Sequence, residues 1–277
     1  MADITPAMIK ELRDKTGLGL KKCKEALVES NGDIGLAIEE LRKSGLASAE
    51  KRMGRTTNQG SVFTFTSPDG KKGGIVELAC ETDFVAKTAD FKNLGIKLAT
   101  FVALQGVKDA ETLNSSNIDG APVMETLKEH ISKLGENLNI NNVKSFQTSG
   151  RIFQYIHGEG ALLGVMLDIE GADNKIEVLG KDLCMHIAAS LPMYLDRDLV
   201  PPAVIEKEKE IFREQMKDKP SDVVEKILVG KINKFYQDNC LLDQTFIKDE
   251  KKTVAKVIKD AGANYKLRSF ARFQIGS

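Results

Sequence analysis

The stretch Gly74-Ile75-Val76-Glu77-Leu78-Ala79-Cys80, followed by Glu81-Thr82-Asp83-Phe84-Val85-Ala86-Lys87, decides how this chain is read. Its first seven residues are short, apolar and β-rich, the composition of a buried strand. From about Phe91 to Leu104 the apolar positions recur at helical spacing. Residues 81–87 are therefore a strand-to-helix corner held by rigid elements on both sides, the kind of place where function collects. Two readings of Phe84 stay open. The ring is presented outward beside the acid of Asp83 to receive something beyond this molecule, or it folds back as a plug under its own loop.

Outward from this corner the pattern repeats. Phe63 to Ala103 reads as strand, turn at Pro68 to Gly73, strand, corner, helix, and so does Phe153 to Ala188. Gly74-Ile75-Val76-Glu77-Leu78 aligns with Gly164-Val165-Met166-Leu167-Asp168, and Leu94-Gly95 with Leu179-Gly180. Gly74 to Leu94 spans 20 positions where Gly164 to Leu179 spans 15, so the first copy carries five additional residues. They fall at Thr82-Asp83-Phe84-Val85. Length that the repeated scaffold does not need is better explained by a partner than by packing.

A chain of 277 residues, 42% hydrophobic, can bury a sizeable core in two or three units. Its 40 basic and 40 acidic residues balance, so no global field draws it to nucleic acid or anionic lipid. Cys23, Cys80, Cys184 and Cys240 are far apart and lack metal-ligand spacing, and the chain opens on Met-Ala-Asp rather than on a basic and apolar leader. A reduced, cytoplasmic protein is expected. No apolar run approaches the roughly 20 residues that cross a bilayer.

The first residues read as three short helices. Thr5 caps the first with Pro6 at its first position, and Gly17 stops it. The second runs from about Gly19 to Ser30. Asp33 caps the third, whose Ile34, Ala37, Ile38 and Leu41 recur at helical spacing until Ser44-Gly45 ends it. Leu20, Lys21, Lys24, Lys51 and Arg52 face solvent, as an ordinary charged face or as a docking surface. Pro201-Pro202 opens a charged helix, Lys219-Pro220-Ser221 forces a reversal, and a return helix carries Val223 to Phe235, which makes an antiparallel two-helix arm. The arm packs on its own core or on a second copy, a homodimer; both remain open.

Enzyme chemistry finds little support. There is no phosphate-binding Gly-x-x-x-x-Gly-Lys-Ser/Thr loop, and Gly158-x-Gly160-x-x-x-Gly164 lacks dinucleotide-binding spacing and reads as a turn. Asp182 and His186, four apart, read as a structural pair without a nucleophile, and His130 as a surface residue. No cofactor and no protein-bound metal are expected. A scaffold that gathers partners through the small bundle and the arm, and a nucleic-acid-binding module, remain as other classes.

The motifs Glu11-Leu12-Arg13 with Thr16-Gly17, Cys23-Lys24, Asn31-Gly32-Asp33, Arg42-Lys43-Ser44-Gly45 and above all Thr82-Asp83-Phe84-Val85-Ala86-Lys87 resemble the bacterial elongation factor Ts family, exchange factors of the GTPase EF-Tu. Gly135-Glu136-Asn137, Tyr155-Ile156-His157-Gly158, His186-Ile187-Ala188-Ala189 and Arg272-Phe273 extend the likeness over nearly the whole chain. The resemblance implies an α+β protein: an N-terminal three-helix ubiquitin-associated-like bundle (1–46), a connector (47–60), a core of two related α+β subdomains (61–147; 148–200 with 243–277), and an inserted antiparallel helical hairpin (201–242). It implies binding of EF-Tu, GDP-bound and nucleotide-free, with Thr82, Asp83, Phe84 and Val85 dislocating the partner's Mg²⁺. It further implies contacts by Leu20, Lys24, Lys51, Arg52, Leu134, Gly135, Glu136, Asn137 and His157. The chain departs from the pattern near His157 and at Asn141-Asn142, where a basic residue is common, and it stops at Gly276-Ser277 before the extra helix of some relatives.

Overall fold

The computed structural model describes residues 3–216, 220–262 and 264–276. In chain order they form α1 (Pro6–Thr16), α2 (Leu20–Glu29), α3 (Ile34–Glu50), β1 (Gln59–Thr66), β2 (Lys72–Cys80), α4 (Asp83–Ala86), α5 (Ala89–Gln105) and α6 (Ala110–Asn114). There follow β3 (Asn117–Ile118), β4 (Ala121–Pro122), α7 (Val123–Leu134), β5 (Leu138–Gln147), β6 (Arg151–His157), β7 (Leu163–Glu170), α8 (Glu177–Ser190), α9 (Pro202–Gln215), α10 (Ser221–Asn239), β8 (Thr245–Phe246), β9 (Asp249–Thr253), α11 (Val254–Ala261) and β10 (Lys266–Gln274). Helices and small antiparallel sheets make an α+β protein.

Strand periodicity sorts the core into layers. One antiparallel sheet has the order β1-β2-β5, and another β10-β7-β6. Because side chains alternate along a strand, β2 sends Val76, Leu78 and Cys80 to a cluster with Phe91, Leu94 and Leu98 of α5 and Leu127 and Ile131 of α7. Its Ile75 points the other way, into a cluster with Val62, Phe146, Ile152, Met166 and Ala271, one residue from each of the six strands. The two sheets therefore face each other. On the far side, Phe153, Val165, Leu167 and Ile169 pack with Leu183 and Ile187 of α8 and Ile258 of α11. Covered on both faces, the central strands β2 and β7 read as nearly continuous apolar runs.

The repeat is present, but its second strands match one residue away from the sequence alignment: Phe63 pairs with Val76 and Phe153 with Leu167, so Ile75 corresponds to Met166 rather than to Val165, and both face the inter-sheet cluster. Gly95 of α5 seats the Phe63 ring, and Gly180 of α8 seats the Phe153 ring; a Cβ would fall 2.2 Å and 2.4 Å from the nearest ring carbon. In each copy the helix lies that close to its strand because the residue beneath the ring has no side chain.

The N-terminal helices begin where their caps dictate. Thr5 Oγ1 accepts from Met8 N (3.3 Å) and Asp33 Oδ1 from Leu36 N (2.9 Å), while Gly17 ends α1 at φ 67°. The expected stop at Ser44-Gly45 is not observed. Helix α3 continues to Glu50, past the expected boundary at residue 46 and into the stretch expected to be a connector. Gly45 is there for packing rather than for termination: a Cβ would meet Ser132 Oγ of α7 at 2.5 Å. Lys128–Glu50 (2.7 Å) and Arg42–Glu129 (3.7 Å) cross the same junction, and Ala49 is buried with the β2 and α5 side chains.

Helices α9 and α10 run in opposite directions, since Arg213 near the end of the first reaches Glu225 near the start of the second at 3.2 Å, while Ile205 and Ile232 share a cluster at the other end. Lys219 of the expected reversal lies outside the described residues. His130, expected at the surface, is half-buried on α7, and burial holds its imidazole below the usual histidine range. No helix among the described residues is long and apolar enough to cross a membrane.

Candidate functional site

The corner after β2 folds as the one-turn helix α4 between two threonine caps. Thr82 Oγ1 accepts from Val85 N (3.4 Å), and Thr88 Oγ1 accepts from Phe91 N at the start of α5 (3.3 Å). One turn separates inward from outward positions. Val85 (8% exposed) and Ala86 go into the α5 cluster, and Phe84 stands 78% exposed at the apex. The plug reading therefore belongs to Val85, not to Phe84. Beside the ring, Asp83 Oδ2 accepts from Lys87 Nζ at 2.5 Å, and this bond first of all holds the carboxyl below the usual carboxylate range. The apex presents an apolar ring and an ionised acid.

The residues around the apex come from both halves of the repeat. Phe84, Asp83 and Lys87 line a cleft with Glu159, Gly160 and Leu162 of the β6–β7 turn. That turn is pinned to β1 by Ser61 Oγ donating to Gly160 O (2.6 Å) and Val62 N donating to Ala161 O (2.7 Å). Leu162 is 46% exposed, adding apolar surface beside the ring. The sequence reading did not single out Leu162, because a turn distant in the chain reaches the corner only through sheet packing. His157, at the end of β6, is exposed and bonded to Tyr155 Oη through Nδ1 (2.8 Å).

Other expected contact residues have different surroundings. Glu136 takes both donors of Thr82, N–H to Oε2 (2.9 Å) and Oγ1 to Oε1 (2.6 Å). Asn137 is 3% exposed and gives its amide to the carbonyls of Met53 (3.2 Å) and Arg55 (2.7 Å). Leu134 is half-buried, and Gly135 is the exposed left-handed cap of α7. Arg52 is folded back on Ser48 rather than facing solvent freely, while Leu20, Lys24 and Lys51 are exposed. Asn141 and Asn142 bind Glu77, at 3.0 and 2.7 Å, and so neutralise the hydrogen-bonding demand of a carboxylate only 4% exposed. A basic residue is not needed there.

The expected Asp182–His186 pair does not form. Asp182 binds Lys248 (2.7 Å), and buried His186 meets Gln244 Oε1 through Nε2 (2.9 Å).

A model of the family described as "Elongation factor TS" matches residues 81–277. Proteins named elongation factor Ts are similar over nearly the whole length. That of Thioalkalivibrio sulfidiphilus is 41% identical over 277 residues, 99% of this chain and 92% of the relative. That of Halothermothrix orenii is 43% identical, with 97% and 91% covered, and that of Clostridium kluyveri 43%, with 99% and 93%.

Proposed function

The chain belongs to the elongation factor Ts family and is a translation elongation factor, and from that premise we propose that it is a guanine-nucleotide exchange factor that binds EF-Tu·GDP and promotes GDP release by disturbing the partner's Mg²⁺ and phosphate site. The observation that carries this reading is Phe84, 78% exposed on a capped turn whose next two residues are buried. Moving such a ring from water into another protein is worth about 1.5–3 kcal/mol. The neighbouring Asp83 is paired with Lys87 at the surface, a weak tie in high dielectric, so its carboxylate can exchange Lys87 for donors or water around the partner's metal. Disturbing those surroundings weakens the strongest charge that neutralises a nucleotide phosphate.

Linkage makes the effect mutual. If this protein loosens GDP, GDP loosens this protein by the same factor, a coupling commonly of about 1–3 kcal/mol. The reaction has no covalent step, and it needs no cofactor of its own. Within the same reading, α1–α3 form a ubiquitin-associated-like bundle that adds contacts through Leu20, Lys24 and Lys51, residues 201–242 form an inserted hairpin arm, and the protein works in the cytoplasm. The remaining core divides into subdomains at 61–147 and at 148–200 with 243–277.

Stopped-flow release of a fluorescent GDP from EF-Tu tests the proposal. Acceleration by catalytic amounts is expected. Binding without acceleration would make this chain a scaffold instead.

A further inference from the structure

A one-turn helix does not hold itself in place, because nucleation fixes several residues for a single hydrogen bond. Beside the burial of Val85 and Ala86, what holds α4 is its cap, Thr82, and Thr82 is tied at each of its polar groups. Its N–H and hydroxyl donate to the two oxygens of Glu136, at 2.9 and 2.6 Å, and the Cys80 thiol donates to its carbonyl at 3.1 Å. Burial first, then the Glu136 charge, pushes that thiol up to about 12, so it remains a donor. The bonding is reciprocal. Glu81, one residue before Thr82, accepts the N–H of Asn137, one residue after Glu136, at 2.7 Å. Asn137 in turn ties residues 53 and 55 through its side-chain amide.

We infer that Glu136 is a positioning residue of the exchange reaction: its carboxylate clamps Thr82 and thereby holds Phe84 outward before the partner arrives, rather than meeting the partner itself. This rests on the exchange reading above. A clamped apex needs no ordering on encounter, and misplacement of a reacting group by about 1 Å costs on the order of a hundredfold in rate. Chain geometry explains why the clamp comes from this position. Helix α7 ends at Leu134, Gly135 turns in the left-handed region at φ 80°, and the next residue lands on the corner.

Two variants test it by GDP release from EF-Tu at saturating factor and by hydrogen exchange at the amides of residues 82–85. Glu136→Ala is expected to slow maximal release about ten- to a hundredfold and to raise exchange at those amides while the rest of the core stays protected. Glu136→Gln is expected to restore both readouts, since its amide oxygen accepts the Thr82 N–H and its NH₂ donates to Thr82 Oγ1. A side chain acting on the partner through its charge gives the opposite result: Glu136→Gln as slow as Glu136→Ala, with the corner amides still protected. That outcome overturns the inference. So does a Glu136→Ala protein with unchanged release and unchanged protection. If Glu136→Ala unfolds, Glu136→Gln decides alone by the same readouts: wild-type release with protected corner amides supports the clamp, and slowed release with protected corner amides overturns it. Failure of the wild-type protein to accelerate release sinks the exchange reading instead, a separate result.

Discussion

Gly95 lies against the ring of Phe63 so closely that a β-carbon would sit 2.2 Å from two of its ring atoms, and Gly180 stands in the same relation to Phe153. Both phenylalanines are buried, so neither ring has solvent to move into. This pair of contacts is the physical content of the repeat, and it sets the distance of each helix from its sheet.

Gly95→Ala is accordingly expected to destabilise. Overpacking of a filled core costs about 1–3 kcal/mol, against a helix-propensity gain of at most about 1 kcal/mol. Gly230 of α10 is the control, with nothing within 4 Å of its would-be β-carbon, so Gly230→Ala is expected to stabilise by about 0.5–1 kcal/mol. Denaturant melts of the two variants should move in opposite directions. Equal shifts would remove the close-approach argument.

Phe84 and Val85 are sequence neighbours with opposite expectations. Phe84→Ala should slow GDP release from EF-Tu by about tenfold to a hundredfold, the rate equivalent of roughly 1.5–3 kcal/mol of lost ring burial, with the melting temperature nearly unchanged. Val85→Ala removes buried methyl groups from the α5 cluster and should lower stability by about 1–2 kcal/mol. A Phe84→Ala protein that unfolds early would return the ring to the role of a core plug.

The acid side of the stability profile should depend on His186. Gln244 Nε2 donates to the carbonyls of Ser190 (3.0 Å) and Asp238 (2.8 Å), so its Oε1 is the acceptor and His186 Nε2 carries the proton. Nδ1 is then the acceptor for Ile247 N–H (3.4 Å), and burial holds the imidazole below the usual histidine range. With the folded-state value depressed, the unfolded chain binds the proton first. The contribution is complete above the unfolded value of about 6.5 and is lost as pH falls through the folded value. Urea melts of the wild type between about pH 7 and 5 should show this loss, and His186→Phe, though less stable, should show a shallower slope. Identical slopes would mean that other groups govern the acid limb.

Ionic strength separates a protein-wedge site from a phosphate-binding surface. Counterion release costs a nucleic-acid binder with several phosphate contacts on the order of a thousandfold in affinity between about 50 and 200 mM salt. The acceleration of GDP release should change far less over that range. A comparably steep loss would favour a surface built from the exposed Lys and Arg side chains.

Much of the architecture was legible because it is written in local periods and caps. Thr5, Gly17 and Asp33 mark helix ends by chemistry within four residues, and the strand-corner-helix pattern repeats with Gly95 and Gly180 at equivalent helix positions. The block from α6 to β5 was not read, although Val123, Leu127, Ile131 and Leu134 recur at helical spacing and Gly135 stops them. Gly45 misled for a definite reason. A glycine that ends a helix and a glycine that admits a neighbouring helix are the same letter, and only the approach of Ser132 distinguishes them.

The sequence by itself determined that an acid and a ring occupy a corner longer than its repeat requires, and that the family motifs run through the whole chain in order; the strand register, and with it the excess of six rather than five residues, came from the pairing of Phe63 with Val76 and of Phe153 with Leu167. Tertiary structure decided which side chains of that corner are free. Phe84 faces water and Val85 the core because a single helical turn points them apart, whereas Glu136 lies 54 positions from Thr82 and reaches it only after α7 has packed and Gly135 has turned the chain. Local chemistry is encoded by neighbours in sequence; the occupation of a hydrogen-bonding group by a distant partner is not, because it exists only once the layers have closed.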